Sequence, residues 1–283
     1  MNNCLKSVCE YYSLKSIPFL QRSKTPFESD NLKKHLPMLS SAFYSRQFVT
    51  LTGSSGTGKT SLILYALDQL EPSEFRVCHV ELSSPNKKAL YKTLATKMGL
   101  APPYNADDIK LQLINFFSEE NEQGKFNCVI IDESQTLSIP MIDEIRSFYD
   151  EGANFSLILA GLPPLLSRTL SLSINEPMKQ RINFSIELDA MTPTETMNYI
   201  KHQMTLSKAQ KPVFDDKCYP AIHNITSGIP RRINQLCYRL LIHGFTTKKI
   251  LITEAEIAEV TAASPFIFDG KTYDFQSAKS IEI

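Results

Sequence analysis

The chain has 283 residues, of which 42% are apolar, and its 30 basic and 30 acidic residues give a net charge of +0. That length fits one large domain or two modest ones with a full core, and the apolar content excludes a disordered chain. Electroneutrality excludes a protein coated in basic charge, although it leaves room for a local basic groove.

Met1 to Glu10 lacks the charged-then-apolar pattern of a signal peptide, and no run of eighteen apolar residues occurs, so no membrane span is expected. Residues 1–40 are set apart as an N-terminal extension. The apolar run Phe48, Val49, Thr50, Leu51 then predicts a strand. It leads into Gly53-Ser54-Ser55-Gly56-Thr57-Gly58-Lys59-Thr60, which satisfies G-x-x-x-x-G-K-[ST] at every fixed position. A helical pattern (Ile63, Ala66, Leu67, Leu70) follows. In this strand–loop–helix context the glycines let successive backbone N–H groups curl around phosphate oxygens, and the helix adds its positive end. Gly53 through Ser61 therefore form the expected phosphate cradle. Lys59 is placed for the β- and γ-phosphates of ATP, and the Thr60 hydroxyl for Mg²⁺.

Phe75 to Leu82 predicts a second strand. Residues 86–98 then place Leu90, Leu94 and Met98 on one helical face and Lys88 and Lys92 on another, and a further helix spans residues 107–117. The run Phe126-Asn127-Cys128-Val129-Ile130-Ile131 ends in Asp132-Glu133, as a buried parallel strand with acids at its carboxyl end does. Asp132 is placed to hold Mg²⁺, directly or through water, and Glu133 to polarise a water that attacks the γ-phosphate. A helix over 141–149, a strand over Phe155 to Ala160 and a short strand over Asn183 to Leu188 complete the alternation. The pattern implies an α/β domain over 41–190, its parallel sheet built with right-handed crossovers.

From residue 191 the pattern is helical only. Thr192-Pro193-Thr194-Glu195 reads as a capping box with proline at the first helical position, and Thr253-Glu254-Ala255-Glu256 as a second. Between them, residues 215–226 are helical despite an awkward Pro220, and Pro230 opens a helix with Ile233, Leu236, Cys237 and Leu240 inward. These helices form a small lid over 191–263, followed by a tail over 264–283 that either recruits a partner or packs on the domain. The six cysteines form no C-x-x-C and read as buried thiols of a reducing cytoplasm. The five histidines are scattered and read as packing or surface residues.

Phosphate loop, acidic strand and helical lid together resemble the AAA+ ATPases, and within them the bacterial group of ExeA/GspA-type ATPases and the transposition regulators TnsC, TniB, IstB and MuB. Tyr11-Tyr12-Ser13-Leu14-Lys15-Ser16-Ile17-Pro18-Phe19 resembles the group's opening segment, and Leu159-Ala160-Gly161-Leu162-Pro163-Pro164-Leu165 its L-x-G-x-P-x-L segment. Gln180-Arg181-Ile182 resembles its Q-R-I segment, and Gly228-Ile229-Pro230-Arg231-Arg232-Ile233-Asn234 its G-x-P-R-x-I-N segment. The resemblance implies that Arg231 is a sensor arginine reaching from the lid to the γ-phosphate, with Arg232 competing for that role. It places Arg181 where a neighbouring subunit supplies an arginine finger; the alternative is a surface salt bridge. A polar residue often follows the fourth strand in such enzymes. Here Leu162 stands there, and Ser134 and Gln135 are left to orient water.

The function implied is an ATP-dependent regulator of transposition. Its copies pack head to tail into a ring or helical filament on duplex DNA, contact phosphates without sequence preference, and recruit a transposase and a target-selection protein. Lys87, Lys88 and Lys92 are the candidate DNA contacts; that region lines the channel in the related regulators, although these lysines match no family motif. The alternative is a secretion-assembly ATPase of the ExeA/GspA type. Those proteins continue into a membrane span and a peptidoglycan-binding region, which the sequence does not show, and that difference favours transposition.

Overall fold

A computed structural model describes residues 3–20, 26–81, 86–151, 154–263, 266–268 and 271–273. Two units share the chain, Asp30–Asp189 and a second made of Met1–Ser29 with Ala190–Ile283. Helix α1 (Asn3–Tyr11) belongs to the second unit, and α2 (Asp30–Tyr44) opens the first. Pro37 interrupts the sequence pattern of α2 and removes one backbone hydrogen bond, a cost of about 3 kcal/mol in a helix interior. Burial of Leu39, Ala42 and Phe43 against the sheet offsets it, at about 1.5–3 kcal/mol for each large side chain. The buried Ser156 hydroxyl donates to the Ala42 and Phe43 carbonyls, each at 2.9 Å, and pins the end of α2.

The first unit continues as β1 (Phe48–Gly53), α3 (Lys59–Asp68), β2 (Phe75–Glu81), α4 (Lys87–Lys97), α5 (Ala106–Glu122), β3 (Phe126–Asp132) and α6 (Ile139–Asp150). After these come β4 (Phe155–Gly161), a π-helical turn over Leu165–Leu170, the short α7 (Glu176–Lys179) and β5 (Ile182–Leu188). All five strands are parallel, in the order β2-β3-β4-β1-β5. β1 is flanked by β4 and β5, with Thr50 opposite both Leu159 and Ser185. The β1–β5 register shifts at Phe48, where the Asn183 side chain accepts the Phe48 N–H at 2.9 Å. On one face of the sheet Leu51, Ile130, Ile158 and Ile186 cluster with Leu39 and Phe43 of α2 and Ile63 of α3. The other packs Phe48, Tyr91, Phe117, Phe148 and Phe155 under α4, α5 and α6. The inner strands β1, β3 and β4 are buried on both faces, which is why they read as apolar runs, whereas the edge strands β2 and β5 expose residues such as Val77 and Glu187.

The second unit holds α8 (Pro193–Leu206), α9 (Cys218–Thr226), α10 (Pro230–Thr246) and α11 (Glu254–Ala263) around Ile200, Ile222, Ile233, Leu236, Leu240 and Ile257. Both reciprocal bonds of the Thr192–Glu195 capping box form. α9 starts at Cys218, so Pro220 falls in its first turn, where a missing N–H has no helical partner to lose. The Tyr11–Phe19 segment is a packing device here. Tyr12, Leu14 and Phe19 are buried in this core, and the Tyr12 hydroxyl donates to the Lys249 carbonyl at 3.0 Å. Of the tail, β6 (Phe266–Phe268) and β7 (Lys271–Tyr273) pair antiparallel, and its other residues lie outside the described ones, as does Leu82. Among the described residues, Cys9, Cys78, Cys128, Cys218 and Cys237 are free thiols and buried; burial pushes the Cys78 thiol up to about 11 and Cys128 up to about 12. Among the described residues no helix is long and apolar enough to cross a membrane.

Candidate nucleotide-binding site

β1 ends at the carboxyl edge of a parallel sheet and the chain turns at once into α3, so the glycine loop sits where such sheets bind ligands. Two of its glycines are needed for different reasons. A Cβ on Gly53 would lie 2.8 Å from Thr57 Oγ1 and 2.9 Å from the Leu188 carbonyl, so the loop can cross β5 only without a side chain. Gly58 meets nothing, but its φ of +105° is closed to L side chains. Thr57 Oγ1 donates to the Ser54 carbonyl at 2.9 Å and closes the loop on itself. Lys59 is buried, and its ammonium donates to the carbonyls of Gly53 at 2.8 Å and Ser54 at 3.2 Å. A buried cation held mainly by neutral carbonyls suits a polyanion. Ser54, Ser55, Thr60 and Ser61 are exposed around it.

The second half of the site comes from β3. Thr60 Oγ1 donates to Asp132 Oδ2 at 3.0 Å and so joins residues 72 positions apart. Burial alone would raise the Asp132 carboxyl. The nearby His79 imidazole and hydrogen bonds from the Glu133 backbone N–H and the Thr60 hydroxyl outweigh it and hold the group below the ordinary carboxylate value. His79 Nε2 lies 3.6 Å from Asp132 Oδ2; it stands at the site, and no motif spacing marks it. A hydroxyl and an ionised carboxylate at one point fit Mg²⁺, which is held by few protein oxygens and otherwise by phosphates and water. Glu133 follows with an exposed side chain and a left-handed backbone (φ 54°, ψ 33°), a conformation that is uncommon for residues other than glycine and recurs at functional sites. Its carboxylate accepts from Gln135 Nε2 at 2.6 Å, and Gln135 Oε1 accepts from the Leu162 N–H at 2.9 Å.

Arg181 makes a two-point ion pair with Asp150 (Nε–Oδ1 3.0 Å, Nη2–Oδ2 3.1 Å), and Arg146 also reaches Asp150. Arg231 is exposed in the first turn of α10, whereas Arg232 is buried in the helical unit. The three lysines of α4 differ. Lys87 is engaged by Asp107 at 2.7 Å and Glu144 at 3.4 Å; Lys88 stands 3.6 Å over the ring of the exposed Tyr104; Lys92 is exposed.

Residues 42–169 match the family model of an AAA domain. The chain has an α/β P-loop fold of the AAA+ type. The five-stranded sheet order and the structural neighbours give the same AAA+ fold. The Cdc6p crystal structure from Pyrobaculum aerophilum superposes with a TM-score of 0.70 at 14% identity, over 89% of this chain and 72% of that one. The Aeropyrum pernix ORC1 protein in complex with DNA gives 0.66 at 12% identity, over 87% and 68%. The Thermotoga maritima RuvB Holliday junction branch migration motor gives 0.59 at 20%, over 87% and 72%. In sequence, the general secretion pathway protein A of Aeromonas hydrophila is 29% identical over 219 residues, 75% of this chain. The chain spans 39% of that relative's length. AAA+ ATPases as a class use ATP and Mg²⁺, and the AAA domain here contains both the phosphate loop and the acidic strand end.

Proposed function

We propose that this protein is a Mg²⁺-dependent ATPase whose ATP-bound copies assemble head to tail on duplex DNA to regulate transposition, with hydrolysis controlling disassembly. The observation that carries the nucleotide chemistry is the Thr60–Asp132 bond, which brings both halves of a phosphate and metal site to one sheet edge. The loop N–H groups and Lys59 bind the β- and γ-phosphates, and Thr60 with Asp132 holds Mg²⁺. Mg²⁺ held by these two residues would neutralise charge developing on the phosphates. Glu133 accepts a proton from the attacking water. Arg231 is read as the γ-phosphate sensor on the resemblance of its G-x-P-R-x-I-N segment alone, and Arg181 serves a neighbouring copy once it leaves Asp150.

The DNA part of this reading draws on the resemblance of several segments to those of transposition regulators and on neighbours whose structures contain DNA. Lys88 and Lys92 are the phosphate contacts it favours, since Lys87 is engaged by two carboxylates. A second reading, a role like that of the general secretion pathway protein A, is favoured by the 29% identity to that protein.

Fluorescence anisotropy on a labelled duplex of about 50 base pairs separates the two. On the first reading, binding needs a non-hydrolysable ATP analogue, and affinity falls by about 10³-fold or more between 50 and 200 mM salt. Lys88→Ala with Lys92→Ala reduces the salt slope by about 2. Absence of duplex binding in every nucleotide state, with ATP turnover intact, overturns the first reading and leaves the second.

A further inference from the structure

The Gln135 side chain is used at both ends. Its Nε2 donates to Glu133 Oε2 at 2.6 Å, and its Oε1 accepts the N–H of Leu162, the residue after β4, at 2.9 Å. Ser134 is likewise occupied, its hydroxyl donating to the Ile131 carbonyl at 2.7 Å. The sequence expectation that these two residues orient water is therefore replaced by a different arrangement. The turn after β3 is a single 3-10 turn, and Thr136 Oγ1 closes it by donating to the Glu133 carbonyl at 2.9 Å. Gly161 makes room for the bridge: a Cβ there would lie 2.7 Å from Gln135 Oε1 and 3.1 Å from Gln135 N.

We propose that Gln135 is a positioning residue for the reaction, a carboxamide bridge that fixes the Glu133 carboxylate and ties it to the carboxyl end of β4. This rests on the reading of Glu133 as the group that accepts the proton of the attacking water. An exposed glutamate side chain samples several rotamers, and each productive encounter must select one. The bridge removes that freedom with a charge-assisted hydrogen bond to one carboxylate oxygen and leaves the other for water. It also makes the position of Glu133 depend on β4. Displacement of the Leu162 N–H by even a fraction of an ångström is passed to the carboxylate through two hydrogen bonds and one rigid amide. Leu162 contributes only its backbone, so an apolar side chain is admissible at that position.

Steady-state ATP turnover and the Kd of a fluorescent ATP analogue test this in the full chain. Gln135→Leu removes both hydrogen bonds, and Gln135→Asn keeps the amide but is one methylene too short to span the gap. Both are expected to lower kcat about 10- to 100-fold and to leave Kd within about twofold. Gly161→Ala, which displaces the amide without altering it, lowers kcat in the same direction. In a Glu133→Gln background, Gln135→Leu adds less than about a twofold effect, because the two residues act as one unit. Unchanged kcat for both Gln135 variants, or equal losses with and without Glu133, overturns the bridge alone. Glu133→Gln turnover equal to that of the parent, rather than a small residual rate, overturns the underlying reading and the bridge with it.

Discussion

Lys59 shows how function and stability separate at one residue. The residue is 8% exposed, and its ammonium donates to the Gly53 and Ser54 carbonyls. Desolvating that charge opposes folding, while the two hydrogen bonds offset part of the cost. Lys59→Met keeps the length and apolar body of the side chain and discards the charge. The expected result is stability within about 1 kcal/mol of the parent in urea unfolding, since an apolar replacement of a buried charge is often neutral. Mg-ATP affinity, measured by titration calorimetry, should fall at least about 100-fold, the cost of a lost charge-assisted phosphate contact. A variant that still binds ATP tightly would remove Lys59 from the site. Lys59, Thr60, Asp132 and Glu133 were legible in the sequence because their chemistry is bound to fixed spacing. His79 and Gln135 were not. His79 reaches Asp132 only because β2 and β3 lie in register, Glu81 beside Asp132, and sequence spacing does not encode lateral pairing.

At the scale of elements, the five strands of the parallel sheet were legible, β1, β3 and β4 because strands buried on both faces are written as apolar runs, and the edge strands β2 and β5 by their remaining apolar residues. Helix α2 was not, since Pro37 breaks its pattern and its stability comes from the sheet beneath it. Pro220 misled in the other direction: the expected helix over 215–226 begins at Cys218, which turns an interior proline into a first-turn proline. The cap on α11 was foreseen, and it supports a pH prediction. The Glu256 carboxylate accepts from the Thr253 backbone N–H at 2.8 Å and from the Thr253 hydroxyl at 2.6 Å. Burial would raise its pKa, but these bonds, with Lys249 nearby, outweigh burial and hold it below the ordinary 4.5. A depressed carboxylate adds stability that is present above its unfolded value and lost as pH falls through the folded one. Glu256→Gln should therefore unfold more easily than the parent at pH 7, by about 1 kcal/mol. The difference should shrink below pH 4.5 and close once the parent carboxylate is protonated. Denaturant unfolding at a series of pH values checks this; a gap that stays constant down through the acid range would sink the assignment.

For the whole molecule the open question is which copy completes which site. Arg181 is held by Asp150 within its own chain, so any service to a neighbour requires that pair to exchange for a phosphate. An ion pair at this level of exposure contributes about 1 kcal/mol or less, which a γ-phosphate with its larger charge can outcompete. Asp150→Ala should then raise ATP turnover by releasing the guanidinium, whereas Arg181→Ala should abolish turnover and leave ATP affinity unchanged. A mixing experiment decides between action within a chain and action across copies. Arg181→Ala and Glu133→Gln are each expected to be inactive alone. In a head-to-tail assembly, a site needs Glu133 from one copy and Arg181 from the next. Random mixing of the two variants in equal amounts makes both present at about one quarter of the interfaces, so about a quarter of parental turnover should return. Within a single chain no mixture can regain activity, because every copy lacks one of the two groups. A mixture as inactive as its components would therefore assign Arg181 to its salt bridge with Asp150 and remove the neighbouring copy from the chemistry.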